Sequence, residues 1–281
     1  MKLLKNIIDF YIRSSLHVAV CFVALAIVYL ESYNLGTYFG YYVFLFCSAI
    51  AGYNLIKYGL IWLKQPLKSN ITLKILTALS SAIALYLAIY FSKFAWFLLI
   101  IVCIINLLYT LPIWKGNGLR YSPFFKLFSV AIVWSVLVVG IPQFLYVDTF
   151  YSFSNTEEYR MLMEPDKYLD QHTLKIFTLV IALCIPFEIR DLKYDEENLR
   201  TLPQVLGVKT SKIMGIVLCV FYLTIIVYGN SRGLPIYSHE IIMIVVTTVA
   251  ICFSDKFKSD YYASFLVEAI PLLWLGLYYL L

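Results

Sequence analysis

The chain has 281 residues, of which 62% are hydrophobic and 14% charged, and its net charge is +5. Soluble domains carry about 25% charged residues, so this composition excludes an ordinary soluble domain. The positive excess is small and forms no dense basic cluster, which gives no ground for nucleic-acid binding.

A bilayer core of roughly 30 Å takes about 20 apolar residues per helical crossing. The Met-Lys-Leu-Leu-Lys start resembles a signal peptide, but Asp9 and Arg13 interrupt its apolar run and no small-residue cleavage site follows. It reads as a retained amphipathic helix lying at the interface. Charge, Pro, Gly and Asn then divide the chain into apolar runs at 14–31, 38–63, 71–91, 94–112, 123–145, 173–188, 211–228, 236–253 and 260–280. Nine membrane helices in one domain, residues 1–281, all-α and polytopic, are expected. The connection 146–172 is aromatic and acidic, with Asp148, Glu157, Glu158, Glu164, Asp166 and Asp170 against Arg160 and Lys167. It reads as a solvated loop, with a small cap or interfacial helix as the alternative.

Lys and Arg set the orientation, because they concentrate in cytoplasmic loops. With a cytoplasmic N-terminus, all 22 basic residues except Lys93, Arg160, Lys167, Lys175 and Arg232 fall inside. The C-terminus is then expected outside, and the most polar loops cytoplasmic. The cysteines, Cys21, Cys47, Cys103, Cys184, Cys219 and Cys252, and the histidines, His17, His172 and His239, are scattered singly. That spacing predicts neither a disulfide nor a zinc site. No helix centre is expected to carry a paired charge, so an ion pathway has little support.

One segment stands apart, Pro186 to Pro203 (PFEIRDLKYDEENLRTLP), which follows an apolar run directly. If helical, Glu188, Asp191 and Asp195 share one face at i, i+3 and i+7. Three carboxylates on one face repel unless a cation lies between them, and Mg²⁺ favours oxygen donors and bridges carboxylates to phosphates. Arg190 and Lys193 flank the triad and suit phosphate oxygens. The alternative is a hydrated loop of mixed charge.

This segment resembles the second Asp-rich motif of the UbiA superfamily of intramembrane prenyltransferases. Asp191-x-x-x-Asp195 is followed by Arg200-Thr201-Leu202-Pro203 and Gly207, with Arg190 and Glu188 ahead. A second element, Tyr109-Thr110-Leu111-Pro112 with Leu119-Arg120 and Lys126 after it, is similar to the family's YS/T-x-P region. Both lie in the family's order, and the resemblance covers nearly the whole chain. It implies a UbiA-like bundle around a central cavity and transfer of an isoprenoid chain from a prenyl diphosphate to a lipophilic acceptor, such as an aromatic compound or quinone precursor. It implies Asp191 and Asp195 as catalytic residues that hold Mg²⁺ with Glu188. Asn54, Lys57, Tyr109, Arg120, Lys126, Arg190 and Lys193 are the implied substrate-binding set.

The first Asp-rich motif departs from the family. Asn54 is present, but Tyr58 and Trp62 stand where two aspartates are expected. Losing two carboxylates removes or weakens one metal site, and Lys57 is a candidate to meet phosphate directly as a point charge. A catalytically degenerate UbiA-like protein that binds an isoprenoid lipid or serves as a partner subunit is therefore the competing expectation.

Overall fold

Apolar runs, interrupted where Pro, Gly and charge collect, fold into helices throughout the computed structural model. It describes residues 2–33, 38–64, 70–111, 124–145, 169–195, 199–257 and 259–281. In chain order these are α1 Lys2–Arg13, α2 Leu16–Ser32, α3 Phe39–Lys64, α4 Ile71–Ala88, α5 Lys93–Thr110, α6 Phe125–Ser135, α7 Ile141–Phe144, α8 Leu169–Asp191, α9 Leu202–Ser231, α10 Ser238–Phe253 and α11 Ile270–Leu280. No strand occurs among the described residues. The interfacial or capping structure considered for 146–168 lies outside the described residues.

Among the described residues, seven helices are long and apolar enough to span a membrane, and the pair α1 and α2, bent by 61°, makes an eighth when counted as one span. The ninth expected run, α10, is helical but only 16 residues long. Nine is therefore an approximate count. The bend lies at Ser14 and Ser15, both fully buried, with Ser15 in the left-handed region at φ 63°. The expected amphipathic helix is α1, whose Leu3, Leu4, Ile7 and Phe10 are exposed.

Helix contacts close a ring. α2 packs on α3, α3 on α4 and α5, α5 on α6, α6 on α8, α8 on α9, α9 on α10, and α11 on α10 and back on α2. Helix α8 is apolar on every side and buried on most of them, as expected of a helix packed among others. Outward-facing Ile75, Leu79, Ile83, Phe97, Ile100, Val217 and Val220 remain exposed, which suits contact with lipid tails.

Two helices are interrupted by π turns, Val136–Gly140 and Tyr262–Val267. Each lies shortly before an Ile-Pro pair, Ile141-Pro142 and Ile270-Pro271, that begins the next helix. Proline has no N–H and its ring crowds the carbonyl four residues earlier, here Val138 and Val267. A widened turn relieves that crowding. Gly207 breaks α9 at φ 80°, a conformation that glycine adopts without strain.

A buried charge pair, not anticipated from the sequence, lies at the N-terminal ends of α8 and α10, away from the helix centres. Lys175 Nζ lies 2.8 Å from Glu240 Oε1, and both side chains are buried. Tyr33 and Tyr222 each donate to the same oxygen at 3.0 Å, and Lys175 also donates to Tyr33. Packing of α8 against α10 creates this pair from residues 65 positions apart, which spacing along the chain does not reveal.

Candidate polar site at one end of the helix ring

Helix α8 ends at Asp191, and Pro186 removes one ladder N–H shortly before Glu188. The chain then turns, with the N–H groups of Tyr194 and Asp195 both donating to the Asp191 carbonyl at 2.8 Å. Asp195 is thus delivered by a turn, not by the continued helical face expected for it. The three carboxylates still converge. Lys126, in the first turn of α6, places Nζ 2.7 Å from Glu188, 3.5 Å from Asp191 and 3.8 Å from Asp195. Glu188 is almost fully buried, whereas Lys126 and Asp191 are about one-fifth exposed.

Arg190 holds the other oxygen of Asp191 through Nη2 at 2.7 Å and Nε at 2.8 Å, and its guanidinium lies 5.2 Å from the Phe187 ring centre. Lys193 points elsewhere. It pairs with Asp260 at 2.5 Å, to which Tyr194 also donates at 2.7 Å. Lys193 and Tyr194 hold the Asp260 carboxyl below the usual carboxylate range, and Asp260 raises the Lys193 ammonium. The structure therefore places Lys193 in a surface clasp between two loops and does not bring it to the carboxylates.

Asn54 and Lys57 lie on α3 against the α1–α2 bend. Asn54 is fully buried, accepts from Ser15 at 2.9 Å and donates to Thr77 at 3.0 Å. Lys57 donates to the same Ser15 hydroxyl at 3.0 Å. Tyr58 donates to the Arg13 carbonyl at 3.0 Å and stacks on Trp62 at 5.8 Å. The two residues replacing aspartates are thus engaged with α1 and with each other. Tyr109, near the end of α5, is half-buried and within electrostatic reach of Tyr53 and Lys126. Tyr53 accepts from Trp134 at 2.9 Å. Arg120 lies outside the described residues.

Glu268, which follows the second π turn, lies outside the segments that the sequence singles out. Lys57 and Arg190 are the cations whose charges reach it. A carboxylate alone in an apolar span was the available signal, since ionisable groups there are rare and functional by default.

The donor set is oxygen-only, the chemistry that a hard divalent ion takes. However, among the described residues no group of His, Cys, Asp or Glu is arranged to hold a metal. The carboxylates are instead gathered around the Lys126 ammonium. A metal fits this donor set only if Lys126 withdraws.

The molecule is thus a polytopic α-helical membrane protein whose helix ring carries a carboxylate-rich, lysine-neutralised site at one end. No family model matches the sequence, and none of the curated proteins matches it. Among solved structures, the apo structure of a UbiA homolog from Aeropyrum pernix K1 is similar, with a TM-score of 0.61 and 17% identity. The match covers 95% of this chain and 98% of that chain. The chain has the UbiA fold.

Proposed function

We propose that the protein is a UbiA-like membrane prenyltransferase, which moves an isoprenoid chain from its diphosphate to a lipophilic acceptor, an aromatic quinone precursor being one candidate. The observation that carries this reading is the meeting of Glu188, Asp191 and Asp195 on one cation where α8 ends. Arg190 stands beside them and Lys57 on α3. Likeness to a UbiA homolog over nearly the whole chain supports it.

Charge explains what the site needs. Lys126 and Arg190 neutralise only part of the three carboxylates, so a multiply charged diphosphate requires further positive charge nearby. In this reading Glu188, Asp191 and Asp195 would hold Mg²⁺ once Lys126 withdraws. A bound divalent ion stabilises charge developing on a leaving diphosphate. Lys126 then has an anion to pair with in place of its carboxylates. Arg190 presents a planar donor fork suited to phosphate oxygens, and Lys57 offers a mobile point charge. Tyr109 lies within electrostatic reach of Lys126. The site faces the cytoplasm, as the distribution of Lys and Arg favours.

The second reading, a UbiA-fold protein that binds an isoprenoid lipid without transferring it, is favoured by one observation. The α3 face that would carry two aspartates instead carries Tyr58, bonded to α1, and Trp62, stacked on Tyr58. Binding of a radiolabelled prenyl diphosphate to purified protein, with and without Mg²⁺, separates the readings. The transferase reading expects Mg²⁺-dependent binding that Asp191→Ala and Asp195→Ala each weaken, followed by release of diphosphate when an acceptor is present. Mg²⁺-dependent binding with no release for any acceptor favours the second reading. Binding indifferent to both substitutions removes the proposed site.

A further inference from the structure

At the end of the ring opposite the carboxylates, a cavity of about 430 Å³ opens where α2 ends and α10 begins. Glu31 and Ser32 of α2, Tyr237, Ser238 and His239 at the start of α10, and Tyr278 of α11 line it. Contacts beside it fix its place. Tyr237 donates to the Ser32 carbonyl at 2.6 Å, and the adjacent Tyr33 and Glu240 both meet Lys175. Lys175 lies about 24 Å along α8 from Asp191.

The two sides of this cavity differ in polarity. The α10 side offers donors. No side chain caps α10, so its first N–H groups, those of Ser238 and His239 among them, have no acceptor within the helix. Trp274 Nε1 donates to His239 Nδ1 at 2.8 Å. An indole N–H only donates, so the neutral imidazole carries its proton on Nε2, which has no acceptor among the described residues. The Ser32 hydroxyl, on a side chain more than nine-tenths buried, also has no partner there. The α2 side is negative. Helix α2 ends at Ser32, which sets the negative end of its dipole beside the exposed Glu31 carboxylate. Tyr279 donates to Glu31 Oε2 at 3.1 Å and leaves Oε1 open. Glu240, next along α10, is neutralised by Lys175. Among the described residues no lysine or arginine lines the cavity.

A simple anion would face Glu31 with no cation to offset it, and a simple cation would leave the α10 donors unused. A zwitterion with a phosphate and an ammonium serves both sides, since helix N-termini take phosphate and carboxylates take ammonium. Apolar surface continues from the cavity. Ile241, Ile242, Val245 and Val249 follow His239 along α10 and are exposed. Tyr237 and Tyr278 lie at the level where aromatic side chains meet lipid headgroups. We infer that the cavity binds the headgroup of a phosphatidylethanolamine, with its phosphate at the start of α10, its ammonium at Glu31 and its acyl chains along the apolar face of α10. A primary ammonium donates to the open Glu31 oxygen, which a quaternary one cannot do. The inference holds for either reading of the carboxylate site.

The test measures lipid retained by the full chain in detergent, by native mass spectrometry, with dioleoyl phosphatidylethanolamine, phosphatidylcholine and phosphatidylglycerol as probes. Wild type is expected to hold the ethanolamine lipid about fivefold more tightly than the other two, the scale of one exposed charged contact. Glu31→Gln should abolish that preference. Ser32→Ala should weaken the ethanolamine lipid while leaving the lipid-free unfolding midpoint unchanged, because its hydroxyl has no partner to lose. If one variant loses its midpoint, the other decides. Free phosphoethanolamine should bind far more weakly, because it lacks the chains that cover α10. Equal retention of the three lipids, a preference for phosphatidylglycerol, or a preference that survives both substitutions overturns the inference. So does phosphoethanolamine that displaces the lipid at equal concentration, which marks a site for a soluble zwitterion.

Discussion

Replacing Lys126 by methionine keeps most of the side-chain volume and removes the one ammonium shared by Glu188, Asp191 and Asp195. Arg190 still serves Asp191, but Glu188 is left buried with no cation within 4.0 Å among the described residues. Removing one partner of a buried pair costs about 3–5 kcal/mol. The fifth of Lys126 still exposed to solvent points to the lower end, about 3 kcal/mol. At roughly 2–4 °C per kcal/mol, the midpoint of thermal unfolding in detergent should fall by about 6–12 °C. Two controls identify the cause. Glu188→Gln in the Lys126→Met background should restore most of the loss, because the cost is an unpaired carboxylate and not a missing lysine. Millimolar Mg²⁺ should stabilise Lys126→Met more than the wild type, because no ammonium competes for the carboxylate oxygens. An unchanged midpoint in Lys126→Met, or an equal response with and without Glu188→Gln, refutes the reasoning.

At the opposite end of α8, Glu240→Gln should also destabilise by about 3 kcal/mol, since it strands the buried Lys175. Prenyl diphosphate binding, measured alongside, should not change. Gly207→Ala should cost about 1–2 kcal/mol through backbone strain alone, because its φ of 80° disfavours a side chain while the space around it is open. Unfolding in denaturant and a structure of the variant would check both parts. The Lys193–Asp260 clasp has a defined pH window. The Asp260 carboxyl is depressed in the folded protein, so its stabilisation is full above the usual carboxylate range and fades as pH falls through the lower folded value. Lys193 is raised, so its share persists until pH rises through the lysine range. The small difference in unfolding midpoint between wild type and Asp260→Asn should therefore be constant from about pH 6 to 8 and close in strong acid.

Most helices were legible because apolar runs of membrane length have few alternatives in a bilayer. The i, i+3 relation of Glu188 and Asp191 was legible because both lie on α8. The position of Asp195 was not, because the helix ends at Asp191 and a turn brings it back. Lys126 was expected beside a diphosphate, yet the structure sets it among the carboxylates. Helix packing of α6 on α8 decides that contact, and no local spacing encodes it. Lys193 was assigned by its place in the charged segment, whereas Asp260, from a distant loop, takes it up. The Lys175–Glu240 pair was overlooked for a related reason. Single charges near the ends of apolar runs read as boundaries, and only the fold shows which of them turn inward.

The central claim is tested most directly by supplying purified protein with geranylgeranyl diphosphate, Mg²⁺ and a lipophilic phenol, then measuring inorganic diphosphate and prenylated product together. The account predicts that the two appear one for one, and that neither appears with the Asp191→Ala, Asp195→Ala double variant. Product formed equally by that variant, or tight Mg²⁺-dependent binding with no diphosphate released across a range of acceptors, would contradict it.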